Sequence, residues 1–95
     1  MTTLNQIPKP IAGVTGQVVD GEAVLVLPDK GEVKVLNEVG ARIWELADGT
    51  RTISGIAEQL TEDFEVDLQK AQNDTIIFLE QLEQKGVIQL AGLEN

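Results

Sequence analysis

The stretch Glu32-Val33-Lys34-Val35-Leu36-Asn37-Glu38-Val39-Gly40-Ala41-Arg42-Ile43-Trp44-Glu45-Leu46 decides the fold, because its hydrophobic period changes part-way along. Val33 and Val35 alternate with Lys34 and Leu36, the two-residue period of a strand. From Val39 the apolar positions become Val39, Ile43, Leu46 and Ala47, the spacing of a helix. Asn37 stands between the two regimes as an N-cap, since its side-chain oxygen can accept from an orphan N–H of the first helical turn. A strand that feeds a helix with no loop between them is read as the last, exposed strand of a small sheet, with a free edge suited to docking.

Working back from this stretch, Pro28-Asp29-Lys30-Gly31 is a turn by composition. Before it, Glu22 to Leu27 alternates cleanly, with Ala23, Leu25 and Leu27 on one face and Val24 and Val26 on the other. Asp20-Gly21 is a strong hairpin signal, because a two-residue type I′ turn needs positive φ at both central positions. Val14 to Asp20 makes a weaker strand, loosened by Gly13 and Gly16. Three strands on two short turns form an antiparallel meander. Residues 1 to 12 are expected to be a flexible arm, because Pro8 and Pro10 in Ile7-Pro8-Lys9-Pro10-Ile11 hold the chain extended. Such an arm either frays or covers a neighbour, which includes a second copy of the chain in a homodimer.

Working forward, the first helix is expected over Glu38 to about Asp48, stopped by Gly49. Thr52 caps a second helix, Ile53 to about Asp63, with Ile53, Ile56, Ala57 and Leu60 on one face. Asp67 caps a third, Leu68 to Lys85, ended by Gly86. Val87 to Leu90 either adds a short strand or packs on the core. On a wheel of about 100° per residue, Leu68, Gln72, Thr75, Ile76, Leu79, Leu82 and Glu83 of the third helix centre on one direction, whose apolar members are expected to face the core. Ile77 falls opposite, and Phe78 lies on a flank with Asp74, Gln81 and Lys85. The helix therefore has two apolar aspects, one more than a simple surface helix needs.

Composition narrows the chemistry. The 95 residues suit one domain with a modest core, and 42% hydrophobic content marks a globular chain. Cysteine and histidine are both absent, which removes disulfides, thiolate metal sites and the commonest general base. Sixteen acidic against seven basic residues give a net charge of −9, which argues against nucleic acid as a partner. No apolar run approaches the roughly 20 residues of a membrane span. Met1 is followed by polar Thr2, Thr3 and Asn5 rather than by a signal-peptide pattern, so a soluble cytoplasmic protein is expected, with no membrane association. The acids Glu62, Asp63, Glu65 and Asp67 cluster at a helix junction without the order of a calcium loop, and read as solvated or capping groups. Trp44 beside Ile43 is expected to pack between helix and sheet. No enzyme constellation, metal site or cofactor site emerges.

The ordered residues Leu36-Asn37-Glu38, Ile43-Trp44, Asp48-Gly49, Arg51-Thr52-Ile53, Ile56-Ala57, Asp74, Phe78-Leu79, Leu82 and Gly86-Val87-Ile88 resemble the PqqD family of RiPP recognition elements, small chaperones of peptide modification. The resemblance covers about residues 13 to 90, leaving 1–12 as the arm and 91–95 as a tail. It implies an α+β, winged-helix-like fold, a three-stranded antiparallel sheet followed by three helices. It also implies a non-catalytic function. The leader segment of a ribosomally made precursor peptide would add a strand to the third strand, in the cleft beside the third helix. The peptide would thereby be presented to a separate modifying enzyme such as a radical SAM enzyme, a cyclase or a leader peptidase. By this resemblance the docking strand is Val33, Lys34, Val35 and Leu36, and the helical wall is Asp74, Ile77, Phe78 and Gln81. Lys34 has two readings, a guard against edge-to-edge aggregation or a contact for an acidic group on a leader. Two other classes compete. A winged-helix DNA-binding regulator is opposed by the acidic balance and by too few basic residues in either candidate recognition helix. An acyl carrier protein would need a modifiable serine at a helix start, but Ser54 sits in Ile53-Ser54-Gly55, and the strand-rich first third is wrong for that class.

Overall fold

The computed structural model describes residues 2–27 and 31–92. Its elements run β1 (Ile7–Pro10), β2 (Thr15–Val19), β3 (Glu22–Leu27), β4 (Glu32–Leu36), α1 (Glu38–Leu46), α2 (Ile53–Asp63), α3 (Leu68–Gln84) and β5 (Ile88–Ala91). Strands β2, β3 and β4 form the expected antiparallel meander in that spatial order. The β2–β3 turn has Asp20 at φ 54° and Gly21 at φ 81°, the paired positive values that the Asp-Gly dipeptide supplies at low cost. The expected turn between β3 and β4 lies, for Pro28 to Lys30, outside the described residues.

All three helices begin where a short polar side chain can close the first turn. Asn37 accepts from the Gly40 N–H at 2.8 Å, Thr52 from Gly55 at 3.1 Å and Asp67 from Lys70 at 2.8 Å, each satisfying a donor that the helix itself leaves unpaired. The core gathers one face of the meander and one stripe of each helix. Ala23, Leu25, Leu27 and Leu36 meet Ile43, Leu46, Ile53, Ile56, Leu60, Leu79 and Leu82 there. Trp44 packs on this core as expected. Its indole lies so close to β2 that a Cβ on Gly16 would come within 2.8 Å of Trp44 Cε2 and of Leu25 Cδ2.

The reading of residues 1–12 as a flexible arm is corrected. Ile7–Pro10 is strand β1, antiparallel to β5 with Pro8 opposite Leu90 and Pro10 opposite Ile88, and Pro8 is buried. The main chain around it is equally committed. Ile53 N–H donates to Gln6 O and Ser54 N–H to Leu4 O, both at 2.9 Å, and Gly49 N–H donates to Pro8 O at 2.9 Å. The first two bonds satisfy orphan donors at the start of α2. Proline is compatible with this two-stranded ribbon because each strand there is an edge, where a missing N–H need not break a ladder. The final segment accordingly resolves as a strand, and Ala91, assigned from sequence to a tail, belongs to it.

The wheel for α3 needs one adjustment. Leu68, in the first turn, is exposed, and the buried stripe is Ala71, Thr75, Leu79 and Leu82, at i, i+4, i+8 and i+11. No helix among the described residues is long and apolar enough to cross a membrane.

Candidate functional site

Strand β4 is the edge of the meander. Among the described residues it pairs only with β3, so its other side presents unpaired main-chain donors and acceptors. Alternation fixes what each side chain does. Leu36 is buried and Lys34 half-buried, placing both on the inner face. Val33 and Val35, each 64% exposed, stand on the outer face opposite Val26 and Val24.

Beside this edge lies a groove of about 360 Å³, lined by Lys34, Val35, Leu36 and Asn37 from the strand and hinge, Val39, Gly40 and Ile43 from α1, and Asp74, Ile77 and Phe78 from α3. That volume lies within the range of small ligand pockets. Its lining is mainly apolar, and Ile77 is 54% exposed, so the second apolar aspect of α3 opens into the groove rather than onto the core. The one carboxylate of the lining, Asp74, is held by Lys70 at 3.1 Å. A second hollow of about 300 Å³ follows, lined by Leu27, Glu32, Val33, Lys34 and Lys85. Lys34 belongs to both. The start of β4 thus lies with the end of α3, and the end of β4 with its middle, so helix and strand run in opposite directions along one trough.

Of the eight residues proposed from sequence, Lys34, Val35, Leu36, Asp74, Ile77 and Phe78 meet in the groove. Val33 lies on the second hollow. Gln81 lines neither, although it falls on the α3 stripe between Phe78 and Lys85. Sequence reasoning missed Asn37, Val39, Gly40 and Ile43 as lining residues. The available signal was Gly40, a glycine inside a helix where alanine would be more stable by about 1 kcal/mol.

Two of the four junction acids are seen capping or pairing. Asp67 caps α3, and Asp63 accepts from Arg42 Nε at 2.6 Å, tying α2 to α1. The Arg42 hydrogen bond holds the Asp63 carboxyl below its ordinary range, helped by Gln59. Among the described residues no group of three or more ligating side chains is placed to hold a metal ion.

The family model for coenzyme PQQ synthesis protein D (PqqD) matches residues 22–88. This chain belongs to the PqqD family. The match runs from β3 to the start of β5 and includes both walls of the groove. Solved structures agree on the fold. TbiB1 in complex with the TbiA(beta) leader peptide is 26% identical with a TM-score of 0.79, over 92% of this chain and 99% of that one. Lasso peptide synthetase B1 complexed with its leader peptide is 22% identical with a TM-score of 0.78, over 87% and 98%. The PqqD truncation of Methylobacterium extorquens PqqCD, described as a functional, stand-alone RiPP recognition element, is 24% identical with a TM-score of 0.78, over 94% and 95%. No curated protein matches this PqqD-family chain.

Proposed function

We propose that this chain is a non-catalytic recognition element for the leader segment of a ribosomally synthesised precursor peptide. The leader adds a strand to β4 and lays alternate side chains into the groove against α3. The bound peptide is then presented to a separate modifying enzyme. The observation that carries this reading is the conjunction of an unpaired strand edge with an apolar groove running beside it. A free edge invites aggregation unless it is guarded or used. Strand addition uses it, because main-chain bonds supply affinity while pockets for alternate side chains supply selectivity. Family membership and the leader-peptide complexes of TbiB1 and the lasso synthetase B1 support the same assignment.

The test is a titration of ¹⁵N-labelled protein with the synthetic leader of a short precursor encoded beside this chain's gene, where a modifying-enzyme gene is also expected. Amides of Glu32 to Leu36 and of Asp74 to Gln81 should shift together and saturate at one stoichiometry. Saturable binding that leaves both segments unmoved overturns the proposal.

A further inference from the structure

Lysine and arginine number seven in this chain. Arg42, Arg51 and Lys70 each lie within 4 Å of an acid. Lys34 and Lys85 have no such partner among the described residues, yet they come together from β4 and from the C-cap of α3 to line the second hollow. In a protein of net charge −9 this concentrates positive charge at one end of the trough. Among the described residues the single acid lining that hollow, Glu32, leaves it an excess of one positive charge. Two lysines lining one hollow bring like charges to it, and a carboxylate reached by both ammonium groups relieves their repulsion while gaining two attractive contacts.

Resting on the leader-binding reading, we infer that the trough selects an acidic side chain in its guest, seated between Lys34 and Lys85. The strand geometry fixes its position. Lys34 and Leu36 are consecutive inward-facing residues of β4, about 7 Å apart along the strand. A guest paired with β4 therefore carries its acid two positions from the apolar side chain that enters the groove beside Leu36, Gly40 and Phe78. The overall negative field opposes an anionic guest at long range, so such an acid is retained only through direct contact with the lysines.

The experiment selects twelve-residue peptides from a fully randomised display library on the immobilised full chain and, in parallel, on the Lys34→Gln/Lys85→Gln variant. On the parent, Asp and Glu should be enriched two positions from a large apolar residue. On the variant that acid enrichment should vanish while the apolar preference remains. Changing the acid of a selected peptide to its amide should weaken parent binding by about two- to fivefold per lysine contact, the range of partly exposed ion pairs, and should leave variant binding unchanged. Lys34→Arg/Lys85→Arg should restore the preference, and Lys9→Gln, whose lysine lies by Gly49, should not alter it. Peptides that bind through the groove with no acid preference overturn this inference and leave the leader-binding reading standing. Failure to select any peptide that shifts the β4 amides overturns both.

Discussion

Phe78 of α3 lies against the backbone of Gly40 in α1: a Cβ on Gly40 would stand 3.1 Å from Phe78 Cζ. The missing side chain lets the Phe78 ring lie against α1, where both residues line the groove. Gly40→Ala should therefore have opposing effects. The helix gains about 1 kcal/mol of intrinsic propensity, while the ring must give by a few tenths of an ångström. Net stability in urea should stay within about 1 kcal/mol of the parent, but the Phe78 ring resonances should move and leader affinity should fall. An unchanged ring environment would show that Gly40 does not shape the groove.

Gly16 faces a harder constraint. A Cβ there would meet Leu25 Cδ2 and Trp44 Cε2 at 2.8 Å, and both neighbours pack in or against the core. Gly16→Ala should cost about 1–3 kcal/mol, the usual range for overpacking, and should change the emission of Trp44, the sole tryptophan. Parental stability with unaltered fluorescence would contradict this packing.

Along an antiparallel edge, residues of one parity point their N–H and C=O groups into the sheet and those of the other parity point them outward. Proline placed singly at Val33, Lys34 and Val35 should divide accordingly. Val33→Pro and Val35→Pro should behave alike and unlike Lys34→Pro. The parity that points outward should keep the fold by circular dichroism yet lose the leader, because proline has no donor to offer. Leader binding that survives at both parities in folded protein would exclude the edge as the site.

Thr75 is fully buried on α3, and among the described residues its hydroxyl has no hydrogen-bond partner. An unsatisfied buried polar group costs about 1–3 kcal/mol. Thr75→Val keeps the shape, with nearly equal helix propensity, and should raise stability by about 1 kcal/mol in denaturant titration. A loss of stability would mean that the hydroxyl makes a bond the folded chain depends on.

The Arg42–Asp63 pair links α1 to α2, with its carboxyl held below the usual carboxylate range chiefly by the Arg42 hydrogen bond. Because the folded-state pKa is the lower one, the contribution is fully present above the unfolded value near pH 4 and is lost as pH falls through the lowered value. Both side chains are partly solvated, so the amount should be under about 1 kcal/mol. Asp63→Asn should flatten the acid limb of the stability curve by that amount. An acid limb unchanged in the variant would show that the pair contributes nothing.

The meander, the three helices and their caps were legible in the sequence because each is set by local rules. Alternation placed Ala23, Leu25 and Leu27 inward, Asp20-Gly21 closed its turn, and Asn37, Thr52 and Asp67 started their helices, all through contacts within four residues. The second apolar aspect of α3 was also legible, from Ile77 and Phe78 on the wheel. Tertiary structure decided what depends on distant segments meeting. Ile7–Pro10 carries no strand signal of its own and becomes a strand because β5 and the start of α2 supply partners for its main chain. Gly40 joins the groove only because Phe78 arrives from a different helix, and Lys34 shares a hollow with Lys85 only because α3 runs antiparallel to β4. Hydrophobic period and capping are properties of neighbouring residues, whereas a groove is the space left between elements, and no short stretch of sequence contains both of its walls.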